Sequence, residues 1–379
     1  MEELLETTLA RLQTPCLLLD VRRMEHNISR ARSRLAAHGV PLRPHVKTSK
    51  CLPVVRRMMG GTWGPATVST LKEAEVLARA GVRDILYAVG ITPEKLDRVR
   101  QLRGAGVDLA VILDTPEQAQ AICAASERAP IPALIEIDSD GHRGGLRPDD
   151  PMLVQIAQTL QRGGASFRGV MTHAGSSYEH PGAEALATMA EQERRAAVAA
   201  AAAIRSAGVG CETVSVGSTP TALFAQSMSG VTEARIGVFV FFDLVMHSLG
   251  VCAIDEIAIS VLATVIGRQR GKGWLILDSG WTAMSADRGS PRNPELSYGL
   301  VCDLDGRPYP DLILAGLNQE HGIARLRANS SKALPDLPVG TRVRILPNHA
   351  CATAASFDEY VVLNEDSAAV DRWPRFRGW

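Results

Sequence analysis

Between residues 21 and 246 the chain alternates short apolar runs with longer, charged segments of helical period, and this alternation constrains the fold more than any other feature. It is the pattern of repeated strand and helix units that build a parallel sheet. Eight runs read as strands, at about 42–46, 66–69, 85–88, 109–113, 133–137, 169–172, 213–216 and 232–236. Eight is the number that closes a barrel. Between them, segments 71–80, 93–103 and 183–207 are rich in Ala, Leu, Glu and Arg, which favour helix. Gly81 and Gly208 stand where C-terminal helix caps belong. After about residue 250 the texture changes to β-type segments such as 257–266, 273–277 and 341–346, with turns rich in Gly, Pro and Asp. The expected fold is therefore α/β, a (β/α)8 TIM barrel over 21–246. A second, mostly β domain is expected from residues 1–20 and 247–379, with 15–20 as its strand outside the set of eight.

A chain of 379 residues has room for two such domains. With 41 basic and 41 acidic residues it shows no charge excess to attract nucleic acid, so a small-molecule partner is expected. Glu2, Glu3 and Glu6 occupy the stretch where an export signal needs a basic start and an apolar run. The longest apolar runs, 196–204 and 238–242, fall short of the roughly 20 residues that span a bilayer, so no membrane partner is expected. Seven scattered cysteines without a CxxC pair argue for reduced thiols and a cytoplasmic protein.

In a parallel barrel the reactive groups follow the carboxyl ends of the strands. Lys47 follows the first, Asp138 to Arg143 the fifth, His173 to Tyr178 the sixth, and Gly217-Ser218-Thr219-Pro220 the seventh. In the seventh loop Ser218 or Thr219 can cap a helix whose first position takes Pro220, which leaves amides free to face an anion. Gly237, after the eighth strand, offers one more. A phosphate seat facing a lysine points to pyridoxal 5'-phosphate, whose aldehyde condenses with an amine. Arg143 is a candidate to bond the cofactor ring, or else to pair with Asp138 or Asp140. A second constellation is Pro347-Asn348-His349-Ala350-Cys351, where extended chain puts His349 and Cys351 on one side. Two such ligands suit an open catalytic metal site, and the thiolate favours zinc over magnesium or calcium.

These motifs, together with Gln319-Glu320-His321-Gly322, resemble the fold-type III pyridoxal-phosphate enzymes, and within them the D-serine dehydratase and D-threonine aldolase group. The resemblance covers nearly the whole chain. It implies an alanine-racemase-like barrel, a β domain, a homodimer and a divalent metal, zinc or another ion such as manganese. By resemblance Lys47 carries the cofactor, and Tyr178, Gly217, Ser218, Thr219 and Gly237 join Arg143 in holding it. His349 and Cys351 match the metal ligands. The dehydratases have His-x-Cys where the aldolases usually have His-x-Asp, which tilts this chain toward dehydration. Phe239 stands where close relatives carry tyrosine.

The leading expectation is loss of water from a 3-hydroxy-D-amino acid such as D-serine, D-threonine or D-threo-3-hydroxyaspartate, giving a 2-oxo acid and ammonia. Lys47 is then both anchor and base. Retro-aldol cleavage to glycine and an aldehyde is the alternative, with His173 as its base, and a cofactor carrier without turnover is the reading from outside enzymology. His321 and the Asp278-Ser279-Gly280 turn are lesser candidates.

Overall fold

A computed structural model of the chain describes residues 9–289, 294–364 and 368–379; Glu2, Glu3 and Glu6 lie outside them. The chain forms two compact units, one of residues 30–237 with 376–379, the other of residues 1–29 with 238–375.

Chain order begins with β1 (Cys16–Asp20), which belongs to the second unit. The first unit then holds eight strands: β2 (Leu42–Pro44), β3 (Ala66–Val68), β4 (Asp84–Gly90), β5 (Asp108–Leu113), β6 (Pro132–Ile137), β7 (Ser166–Thr172), β8 (Thr213–Val216) and β9 (Glu233–Ile236). They form one parallel sheet in the order β2-β9-β8-β7-β6-β5-β4-β3. A bridge between His45 and Thr67, with the Val46 amide 3.0 Å from the Thr67 carbonyl, brings β2 back to β3. The expected α/β barrel is borne out.

Local chemistry explains the connecting helices. The Thr70 hydroxyl accepts from the Glu73 amide to start helix Leu71–Ala80, and Gly81 ends it at φ 107°, a left-handed conformation that favours glycine. Thr115 and Gln118 form a reciprocal capping box at helix Pro116–Ala125. Strand residues alternate between two apolar environments. Leu109, Val111 and Leu113 pack outward with the helices, while Ala110 and Ile112 join Leu86, Leu134 and Met171 in a separate inner cluster. The opposite side of the interior is polar. Arg43 bonds Glu233 and Asp84, each at 2.7 Å, and Ser215 bonds both Glu233 and Arg235, again at 2.7 Å.

The second unit carries β10 (Ile259–Gln269), β11 (Trp274–Leu277), β12 (Gly299–Cys302), β13 (Pro308–Leu317), β14 (Gly322–Leu326), β15 (Arg342–Pro347), β16 (Glu359–Leu363) and β17 (Ala369–Pro374). The first half of β10 pairs with β1 and β15, and its second half pairs with β11. Six strands, β10-β11-β14-β13-β12-β15, thereby close on themselves, which removes sheet edges. β1 and β16 run parallel and β17 ends the sheet, so the opening segment is a strand of this unit, as expected.

Candidate active site

Lys47 sits just past β2, exposed, between the buried residues Val46 and Thr48. Gly237, at the end of β9, is pressed against this turn. A Cβ on it would come within 2.8 Å of the His45 carbonyl oxygen and 3.3 Å of the Thr48 hydroxyl.

His173 follows β7, and its Nδ1 lies 2.6 Å from the Gly217 carbonyl oxygen. A carbonyl only accepts, so Nδ1 carries the hydrogen and Nε2 presents a lone pair. Burial, then the charge on Lys47, push the His173 imidazole down to about 3, against the hydrogen bond to Gly217. His45 is also held well below its ordinary value, by burial first and then by Lys47, Arg235 and His173. Two neutral imidazoles therefore flank the lysine. The Tyr178 ring centroid lies 6.3 Å from that of His173.

Arg143 does not pair with Asp138 or Asp140; its guanidinium meets Glu136 Oε1 at 3.1 Å and remains largely in solvent. Both aspartates are engaged in shaping their own loop. Asp138 Oδ1 accepts from the amides of Asp140 and Gly141, and Asp140 Oδ2 accepts from the Ser176 amide at 2.8 Å. The charge on Arg143 nevertheless reaches His173.

In the loop after β8, Ser218 is the cap. Its hydroxyl accepts from the Thr221 amide, so helix Thr219–Phe224 starts at Thr219 and Pro220 takes the second position, one later than the sequence spacing implied. Gly217 has φ 157°, and a Cβ there would fall 2.0 Å from the Arg235 carbonyl oxygen. Among the described residues the buried Thr219 hydroxyl finds no hydrogen-bond partner. An unpaired buried hydroxyl beside glycine backbone, in the same unit as an exposed amine at a strand end, fits a group with an anionic end and an aldehyde.

The sequence reading missed Glu193. Helix Ala183–Ser206 buries Leu186, Ala190, Glu193, Ala197, Ala200, Ala201 and Ile204, so this glutamate occupies an apolar register. That break in the stripe is the signal that a pattern search can find. Glu193 Oε1 accepts from the amides of Ala174 (3.1 Å) and Gly217 (3.0 Å), and Oε2 lies 2.6 Å from the Thr221 hydroxyl. His45 and Arg235 were also missed: Arg235 lies within β9 and His45 within the expected strand 42–46, where side chains pass for core.

The second unit holds His349 and Cys351 together, but not by strand alternation. β15 ends at Pro347, His349 caps a short helix, Ala350–Ala354, and Cys351 lies in its first turn. The Cys351 side chain lies close enough to the His349 imidazole to favour its protonated form, and the imidazole Nδ1 is 2.6 Å from Asp287 Oδ2. Among the described residues no three His, Cys, Asp or Glu side chains are grouped to hold a metal, so this is a two-ligand set of imidazole and thiol. That donor chemistry fits an open site for a borderline-soft divalent ion. Asp243 braces the same helix, its Oδ2 accepting from the Ala350 amide at 2.9 Å. Asp278 is structural: its carboxylate accepts from the Thr14 hydroxyl and the Thr264 amide. His321 lies exposed in the turn between β13 and β14. Phe239 is fully buried.

Residues 19–245 match the family described as alanine racemase, N-terminal domain, and residues 258–363 match the putative serine dehydratase domain. The chain belongs to this alanine-racemase-like enzyme family, in agreement with its motifs. It is 51% identical to D-threo-3-hydroxyaspartate dehydratase of Delftia sp. (strain HT23), covering 99% of this chain and 100% of that one. The solved structure of that enzyme superposes with a TM-score of 0.95 over 99% of this chain and 100% of the other, at 52% identity. D-serine dehydratase of Dictyostelium discoideum is 27% identical over 97% of this chain and 98% of its own. D-threonine aldolase of Filomicrobium marinum shares the fold more distantly, with a TM-score of 0.82 at 26% identity over 98% of this chain and 97% of its own. No helix among the described residues is long and apolar enough to cross a membrane.

Proposed function

We propose that this chain is a pyridoxal-phosphate- and divalent-metal-dependent lyase that dehydrates 3-hydroxy-D-amino acids to 2-oxo acids and ammonia. D-threo-3-hydroxyaspartate is the foremost substrate in this reading. The observation that carries it is the 51% identity to a dehydratase of that name across both full lengths. The His349 and Cys351 pair supports the metal, as does a cysteine-to-alanine mutant of that relative solved in a metal-free form.

When bound, the cofactor supplies an electron sink that makes the hydrogen on the substrate's α-carbon acidic. In this reading Lys47 would anchor the cofactor through its amine, and its Nζ, when free, would serve as the base for the α-proton. Gly217, Ser218, Thr219 and Gly237 seat the phosphate with neutral donors. His173 offers the Nε2 lone pair as a hydrogen-bond acceptor, Tyr178 packs near it, and Arg143 adds positive charge at the mouth. His349 and Cys351 hold the ion, zinc by ligand softness, whose Lewis acidity helps a poor leaving group depart. A cytoplasmic homodimer completes the proposal.

The test is a purified protein loaded with cofactor and zinc. We expect an absorption band near the visible edge that Lys47→Ala abolishes. D-threo-3-hydroxyaspartate should give oxaloacetate and ammonia, and D-threonine 2-oxobutanoate and ammonia. Glycine with glyoxylate or acetaldehyde as the main products would establish the aldolase alternative instead.

A further inference from the structure

Glu193 is 2% exposed, yet none of its three hydrogen bonds goes to a cation. Two come from backbone amides and one involves a hydroxyl, and all three partners lie beside the proposed cofactor seat. Ala174 is the residue after His173. Gly217 is the residue whose carbonyl takes the His173 Nδ1 hydrogen. Thr221 belongs to the helix that Ser218 caps, and its hydroxyl lies 2.9 Å from the Ser218 hydroxyl. The Ser218 hydroxyl is 2.9 Å from that of Ser177, which donates to the Ala174 carbonyl at 2.7 Å. The result is a closed ring of short polar contacts, its four O···O links sharing three hydroxyl hydrogens, that joins the loop after β7 to the loop after β8, with Glu193 as its member from helix Ala183–Ser206.

We infer that Glu193 is a positioning residue: through Ala174, Gly217 and Thr221 it fixes the imidazole of His173 and the Gly217–Thr219 loop in the geometry that receives the phosphate end of the cofactor. The inference rests on the proposed cofactor reading. Its reach comes from Gly217, whose N–H is held by Glu193 while its C=O is held by His173. Gly217 lies against the Arg235 backbone, and within that close packing the two bonds orient its peptide groups. Losing the carboxylate leaves two buried amides without an acceptor, and the loops must move to find one.

Gln at this position keeps every contact. Its Oε1 accepts from the same two amides, and its Nε2 donates to the Thr221 hydroxyl, which then turns its hydrogen to Ser218. Met keeps the volume and loses all three bonds. The experiment compares wild type, Glu193→Gln and Glu193→Met by titrating cofactor-free protein with pyridoxal 5'-phosphate and, separately, with pyridoxal, which lacks the phosphate. The ratio of the two affinities isolates the phosphate seat. We expect Glu193→Met to lower that ratio about 10-fold and Glu193→Gln to keep it within about 3-fold of wild type. Backbone amide exchange at Ala174 and Gly217 in the cofactor-free protein should speed up in the Met variant only.

An unchanged ratio in Glu193→Met, even with a lower melting temperature, overturns the inference and leaves Glu193 a purely structural residue. So does a Gln variant as impaired as Met. Should Glu193→Met not fold, Glu193→Asp, which draws the carboxylate back by one methylene from Ala174, Gly217 and Thr221 and leaves the Ser218–Thr221 cap intact, decides the matter: a ratio reduced by about 3-fold or more supports the ring, and an unchanged one overturns it. Failure of wild type to bind the aldehyde through Lys47 is a different result, one that refutes the cofactor reading itself.

Discussion

Replacing His173 with asparagine tests the electrostatics of the site without any cofactor. The Asn amide can still donate to the Gly217 carbonyl, so the variant removes the titration while keeping the bond. In the folded protein His173 binds a proton only near about 3, whereas its ordinary value is 6.5. Between those values the unfolded chain holds one proton more than the folded chain, so stability rises with pH and is lost as pH falls below 6.5. Integrating the single-site linkage gives a loss of about 2 kcal/mol between about pH 8 and about pH 5 from this residue alone. His45, displaced in the same direction, adds a loss of the same sign. Because the chain has two compact units, the readout should report on the barrel alone: hydrogen exchange of its most protected amides, measured across that pH range. His173→Asn should show a pH dependence shallower by about 2 kcal/mol than wild type. In parallel, ring nitrogen shifts of labelled histidine should show His173 as the neutral Nδ1–H tautomer throughout. Parallel exchange profiles, or a His173 ring that titrates near 6, would refute the reasoning.

The metal proposal predicts that Cys351→Ala lowers bound zinc in elemental analysis while the visible band of the loaded cofactor persists. Asp287→Asn, which weakens the acceptor at His349 Nδ1, should reduce zinc affinity by about 10-fold, measured by competition with a chelator. Gly217→Ala should destabilise the barrel by about 3 kcal/mol or more, seen as a lower melting temperature, because its Cβ falls 2.0 Å from the Arg235 carbonyl and its φ of 157° suits glycine.

Much of this architecture was legible in the sequence, because barrel strands read as short, largely apolar runs and the surrounding helices as longer, charged segments of helical period. That rule located all eight barrel strands, with ends displaced by a few residues where polar side chains such as Asp84, Asp108 and Ser166 continue the pairing. Helix Leu71–Ala80 was readable at both ends because Thr70 and Gly81 act locally. Lys47, His173 and the Ser218 loop were readable because strand ends determine where loops go. The relation of His349 to Cys351 was not. Extended alternation failed because β15 stops at Pro347 and the chain turns into a helix braced by Asp243, a residue more than 100 positions away. The partner of Arg143 was not readable for a related reason: Asp138 and Asp140, its neighbours in sequence, are committed to loop amides, and Glu136 lies within reach. Glu193 was visible only as an acidic break in an apolar stripe, and its partners come from two loops that no local pattern connects.

The polar side of the barrel interior supplies what the proposed phosphate loop lacks. Gly217, Ser218, Thr219 and Gly237 are neutral donors, so a phosphate seated there needs its charge balanced from elsewhere. Arg235 is 4% exposed and donates to Ser215 and to the Thr172 carbonyl, the residue before His173. Glu233, the nearest carboxylate on the same strand, is bonded instead to Arg43 and Ser215. Arg235 shares its field with Glu233, Glu193 and Glu136, and still helps to hold His45 and His173 neutral. Neutral imidazoles and a buried guanidinium are two sides of one arrangement: positive charge resides on Arg235, which does not release its proton, and on Arg143 and Lys47 at the mouth, while the histidines between them provide lone pairs without further charge. An anion entering this field is drawn to the strand ends before any loop contact forms, and the neutral loop then needs only the right shape to hold it. That division of labour is why the shape of Gly217, set by Glu193, matters more there than one more cation.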